Sequence, residues 1–186
     1  MSTHHINDFA RTLLSDATRR AYSNDLRAFA AWLGDEFDPA WVTPNDVHRY
    51  KQHLIKAGRA PATINRALVS LSRFAQWCQQ AGLAQRDFTD GVKQVADVRP
   101  GPQALTAVER DRLIRAAARA GNARDVALLT LMARTGLRIG EVCALKRDDA
   151  RISERRGEVF VRAGKGEKYR VVPLVKEVRW TLSAYL

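Results

Sequence analysis

The sequence predicts a mainly α-helical chain with a helical first half and a mixed α+β second half that carries a small antiparallel β-hairpin or sheet. Three observations point there. Apolar residues recur every three or four positions along most of the chain, the period of a helix with one buried face. A period of two, with β-branched and aromatic residues, appears only after Asp149. Between the halves, Asp97-Val98-Arg99-Pro100-Gly101-Pro102-Gln103 has no period and carries the prolines and glycine of a linker.

The elements follow in order. The N-terminal stretch with His4 and His5 is expected to be loose. Tyr22, Leu26, Phe29 and Leu33 form one face of a helix over 18–33, with Thr18 as its start and Gly34 as its stop. Val47, Tyr50 and Leu54 do the same over 45–57, capped by Asn45 and ended by Gly58. Pro61 opens a third helix where its missing N–H costs nothing. Ile64, Leu68, Leu71, Phe74, Ala75 and Cys78 are its apolar stripe, and Gly82 closes it. Past the linker, Thr106 and Glu109 have capping-box spacing and start a helix to about Ala120. Residues 124–134 are apolar on nearly all sides and are expected at the centre of a core. Gly136 ends that helix as a left-handed cap. Glu158-Val159-Phe160-Val161-Arg162 and Tyr169-Arg170-Val171-Val172-Pro173 read as paired strands, with Ala163 to Lys168 as the turn. Residues 175–186 return to helix.

The chain has 186 residues, 46% of them hydrophobic and 27% charged, which excludes a disordered or collagen-like protein. Lys plus Arg is 31 against 20 Asp plus Glu, a net charge of +11. Residues 1–100 carry 13 basic and 10 acidic side chains, net +3; residues 101–186 carry 18 and 10, net +8. Such a balance points to an anionic partner, foremost nucleic acid; a basic but ordinary enzyme is the plainer alternative. The preference for Arg over Lys suits bidentate phosphate contact, although a GC-rich genome produces the same bias. Cys78 and Cys143 are too few for a disulfide framework, and both are expected to be buried. No charged segment followed by an apolar run marks a secretion signal. The most apolar stretch, Val126 to Ala133, is far shorter than the roughly 20 residues of a membrane span. A cytoplasmic protein without a membrane partner is expected. No metal site or cofactor is expected either. His48 and His53 are not on one helical face, the two cysteines lack metal-ligand spacing, and no phosphate loop or Gly-x-Ser-x-Gly occurs.

Two segments carry candidate chemistry. In Thr135-Gly136-Leu137-Arg138-Ile139-Gly140-Glu141, Arg138 follows a buried helix and a glycine turn, and Glu141 is placed to orient it. The plainer reading is a pair that only ties helices together. In Gly164-Lys165-Gly166-Glu167-Lys168-Tyr169-Arg170, a glycine-flanked Lys165 stands at a bend with Lys168 and Arg170 beside it; the plainer reading is a solvated turn. A weaker third feature is the helix from Pro61. Arg66, Ser70 and Arg73 share a face, with Thr63 and Asn65 at its start and Lys56 and Arg59 just before, a set able to read a major groove. Arg19 and Arg20 add to these DNA-binding candidates. Since Arg66 and Arg73 face away from the apolar stripe, truncating either is expected to weaken DNA binding and to change stability by no more than about 0.5 kcal/mol.

Taken together, these segments resemble the tyrosine recombinases of the phage-integrase, Xer-like class. Leu131 to Leu145 resembles the family's first arginine box, with Arg138 in the place of the first catalytic arginine. Gly164 to Leu174 resembles the hairpin with the catalytic lysine, and Lys165 takes that place. Residues 18–33 and 59–78 resemble the helical, SAM-like core-binding domain, and Leu105-Thr106-Ala107-Val108-Glu109 the opening of the catalytic domain. The resemblance implies a core-binding domain over 1–97, a linker over 98–104, and the N-terminal portion of a catalytic domain over 105–186. It implies DNA strand breakage and rejoining without metal. A tyrosine attacks the scissile phosphate, two arginines and a histidine hold the charge, and a lysine protonates the leaving 5′-oxygen. The chain departs from the family after the hairpin. The His-x-x-Arg box, the later His/Trp position and the nucleophilic tyrosine are absent, so the chain is expected to stop within the catalytic domain and to be inactive alone. Tyr185 falls where the family often has a structural aromatic residue, and Tyr22, Tyr50 and Tyr169 read as packing. Residues 101–186 are expected to be less stable than 1–100. The expected partner is double-stranded DNA, with further copies of the chain or an intact recombinase on it. The alternatives are a non-catalytic DNA-binding remnant or regulator competing with an intact recombinase, and a helical transcription regulator, against which both boxes argue.

Overall fold

Ser15, Thr43 and Pro61 set the helix starts of the first unit. The structure, a computed structural model, describes residues 3–34, 37–97, 101, 103–162 and 169–186 and divides into two units, Met1–Pro100 and Gly101–Leu186. In the first, α1 (Thr3–Arg11), α2 (Asp16–Leu33), α3 (Pro44–Lys56) and α4 (Pro61–Gln80) surround one core. The Ser15 hydroxyl accepts from the Thr18 N–H, so α2 begins before Thr18 rather than at it. Thr43 caps α3, not Asn45. Its hydroxyl and the Asp46 carboxylate satisfy each other's backbone N–H groups, with Pro44 in the first turn.

The N-terminal stretch is a helix rather than a loose end. Ile6, Phe9 and Ala10 enter the core, and the Phe9 ring lies 5.5 Å from Phe74. Arg19 holds the end of this helix, donating from Nε to the Ala10 carbonyl at 3.1 Å and from Nη2 to the Leu13 carbonyl at 2.9 Å. Leu26, Phe29, Val47, Tyr50, Ile64, Leu71, Phe74 and Phe88 complete the core. Cys78 is buried among them, and burial pushes its thiol up to about 12.

The α4 face differs from expectation at two positions. Ser70 is buried, its hydroxyl turned to the Ala67 carbonyl at 2.8 Å, and presents nothing to solvent. Arg66 reaches across to α2, where Nε and Nη2 fork onto both oxygens of buried Asp25 at 2.9 and 2.8 Å. It is therefore a structural tie, and the expectation that its loss leaves folding untouched does not hold.

The second unit runs α5 (Ala107–Arg119), α6 (Ala123–Thr135), α7 (Ile139–Ala144), a 3₁₀ turn at Arg147–Asp149, β1 (Ala150–Ile152), β2 (Gly157–Val161), β3 (Arg170–Pro173) and α8 (Lys176–Tyr185). The strands form an antiparallel sheet in the order β1-β2-β3, with Val159 opposite both Ala150 and Val172. The short β1 was not expected. Alternation puts Val159 and Val161 on the core side with Ala127, Leu131, Leu137, Val142, Leu174, Val178 and Leu182. Only one face of α6 is fully covered, through Ala127, Thr130 and Leu131, so it is less central than its composition implies. Helix α5 buries no residue, and Leu105, Val108 and Leu113 stay exposed. Cys143 is exposed rather than buried, because α7 turns Glu141 and Val142 inward instead. No helix among the described residues is long and apolar enough to cross a membrane.

Candidate nucleic-acid interface

Gly136 adopts φ +67, a left-handed cap that a side chain would strain. The chain then turns, and Arg138 becomes the N-cap residue of α7 with extended backbone. Glu141 accepts the Arg138 backbone N–H at 2.9 Å, which fixes this entry. The pairing of the side chains is less even than spacing suggests. Glu141 is 5% exposed, and its carboxylate is held by Arg170, whose Nη1 and Nη2 donate at 3.0 and 2.7 Å. Arg138 touches it only at 3.4 Å and remains 66% exposed. The Arg170 fork, with the Arg138 N–H second, holds the Glu141 carboxyl down at about 2. Glu141 therefore ties β3 to α7 while leaving most of the Arg138 donors free. Such a planar group can fork onto the non-bridging oxygens of a phosphate.

A second buried carboxylate serves the other strand. Asp149 accepts the Lys146 backbone N–H at 2.9 Å and a short hydrogen bond from Arg162 Nε. These bonds, that of Lys146 first, depress its carboxyl. Arg162 follows β2 and Arg170 opens β3, so an ion pair anchors each of these two strands. Lys165 and Lys168, between them in sequence, lie outside the described residues. Asp149 and Arg162 were not among the sequence-derived candidates; the Lys146–Asp149 spacing, a cap on a short turn, was their available signal.

The remaining candidates separate into occupied and free groups. Arg170 is committed to Glu141, Arg66 to Asp25, and Arg19 to α1 and Asp16. Asn65 is also occupied: its amide donates to the Val95 carbonyl at 2.9 Å, and its oxygen accepts the Val95 N–H at 2.8 Å. Arg20, Lys56, Arg59, Thr63 and Arg73 are exposed. A groove along α1 and α2, lined by Arg19 and Arg20 together with Arg11, Asn24 and Arg27, adds two arginines, Arg11 and Arg27, that the sequence did not single out. Tyr185 is exposed at the end of α8. Tyr169 is also exposed rather than packed, although its ring lies 6.4 Å from that of Phe160.

Comparison with known proteins follows this division. The profile of the Phage integrase family matches residues 103–186, and that of the phage integrase N-terminal SAM-like domain matches residues 6–82. The tyrosine recombinase XerD of Bifidobacterium longum is 32% identical over 180 residues, covering 93% of this chain and 58% of that protein. The tyrosine recombinase XerC of Corynebacterium efficiens is 30% identical over 189 residues, covering 97% of this chain and 59% of that protein. The chain thus spans under three fifths of the length of these two relatives. Among solved structures, a lambda integrase (75–356) dimer bound to a COC′ core site shares the fold, with a TM-score of 0.74, 15% identity, and coverage of 97% of this chain and 67% of that one.

Proposed function

The chain belongs to the phage integrase family of tyrosine recombinases, and from that premise we propose that it is a cytoplasmic, duplex-DNA-binding recombinase polypeptide holding the first half of a strand-transfer site. The observation that carries this reading is Arg138: a two-thirds exposed guanidinium on a backbone fixed by Glu141, whose carboxylate is already occupied by Arg170. Residues 1–97 act as the core-binding domain, 98–104 as the linker and 105–186 as the N-terminal portion of the catalytic domain. Arg138 holds the non-bridging oxygens of the scissile phosphate as charge builds on them. Glu141 positions Arg138 and the Lys165 hairpin together. Lys165 delivers a proton to the leaving 5′-oxygen. Arg20, Lys56, Arg59, Thr63 and Arg73 contact the duplex, with Lys168 near the cleavage position. Further copies of the chain or an intact recombinase share the DNA.

A nicked suicide duplex, resolved on a denaturing gel, tests the chemistry. The chain alone forms no covalent adduct, because covalent cleavage needs a nucleophile within about 3–3.5 Å of the phosphorus. When a relative's C-terminal segment with the His-x-x-Arg and tyrosine is supplied in trans, an adduct forms. Arg138→Ala then slows it by about 10²–10³. An adduct made by the chain alone and abolished by Tyr185→Phe contradicts the assignment. Intact duplex binding with no adduct in either arm favours the second reading, a non-catalytic DNA-binding competitor.

A further inference from the structure

We propose that His4, His5 and Asp8 form a binding site for a divalent transition-metal ion of the zinc class on the outer face of α1. The helix brings them together: Asp8 lies four residues after His4 and three after His5, so its side chain falls one turn on, between the two rings. One ligand atom from each residue lies within 4.8 Å of the others. His4 Nδ1 is 2.7 Å from Asp8 Oδ2, and the other Asp8 oxygen accepts from Arg11 Nη1 at 3.2 Å. Ile6, Phe9 and Ala10 anchor the opposite face in the core, which holds the scaffold of the site in place.

The donor set selects the ion. Two imidazoles and one carboxylate suit a borderline cation in a four-coordinate site, with the fourth position left to water. Magnesium and calcium require more oxygen ligands than this face offers. On binding, the ion takes the place of the direct contact between His4 Nδ1 and Asp8 Oδ2, with both atoms donating lone pairs to it. Arg11 keeps the Asp8 carboxylate oriented from outside. Asp8 also offsets the cation's charge at the positive end of the helix dipole. The ion bridges the first turn of α1 to the second and so stabilises a helix that packs on α2 and α4.

The full chain, stripped of metal with a chelator, is titrated with zinc against a chromophoric chelator. One ion binds per chain, and His4→Ala, His5→Ala and Asp8→Asn each weaken it by about tenfold or more. Zinc raises the melting temperature of the first unit in the wild type and not in the His4→Ala/His5→Ala variant. The imidazole resonances of His4 and His5 shift in the wild-type protein, while those of His48 and His53 do not; this reading needs no variant to fold. Zinc uptake that survives all three substitutions, resonance shifts at His48 or His53 instead, uptake that Asp8→Asn leaves unchanged, or displacement by equimolar magnesium each overturn the site.

Discussion

Arg66→Ala lowers the stability of the first unit by about 2–3 kcal/mol, whereas Arg73→Ala changes it by no more than about 0.5 kcal/mol. The two arginines look equivalent in sequence, seven apart on one helix. The difference lies in Asp25, which is buried and has both oxygens occupied by the Arg66 fork. Removing the guanidinium leaves a buried charge without its partner, and that desolvation is the cost. The Arg66 side chain itself is half exposed, which puts the effect below that of a fully buried pair. Urea unfolding followed by tryptophan fluorescence measures the difference, since Trp32 and Trp77 pack against this core. Asp25→Asn combined with Arg66→Ala recovers part of the loss, because the two positions act as one unit. Equal midpoints for Arg66→Ala and Arg73→Ala contradict the assignment.

Glu141→Gln removes the Glu141 share of the acid sensitivity of the second unit, leaving that of Asp149, and lowers its melting temperature at neutral pH by several degrees. A Glu carboxyl is ordinarily near 4.5, and here it is held at about 2 by Arg170 and the Arg138 N–H. A carboxyl lower in the folded than in the unfolded chain stabilises the folded state in full above 4.5. That contribution is lost as the pH falls from there toward 2. The amide retains the cap on the Arg138 N–H but cannot attract Arg170 as an anion does, so the variant's stability curve is flatter across that window. Thermal melts from neutral pH down to about pH 3 check the sign. Parallel curves for the wild type and the variant contradict it. Arg138 depends on the same carboxylate, so the adduct assay with Glu141→Gln reports lost positioning even where the fold persists.

Much of the architecture was legible because it is written in local chemistry. Pro61 and Thr106 begin helices where first-turn physics places them, and Gly136 ends one. The valines of β2 alternate as a half-buried strand does. What escaped the sequence was tertiary. Helix α1 has few apolar residues over nine positions, and its support comes from docking Ile6, Phe9 and Ala10 into the core. The partner that makes Arg66 a strut lies 41 positions away, and the one that claimed Glu141 lies 29 away. Periodicity places a residue on a face but does not say which charge waits opposite. The candidate site divides the same way: Arg138 and its cap were visible, whereas the Arg170 and Arg162 anchors needed the fold.

The most direct test of the central proposal, that this chain binds duplex DNA through its basic groups, is the salt dependence of its binding to a fluorescent duplex. Neutralising about five phosphates gives a log–log slope near −4.5, and Arg59→Ala and Arg73→Ala each reduce it by about 1. No binding of any duplex at low salt, or an affinity indifferent to salt, contradicts the account.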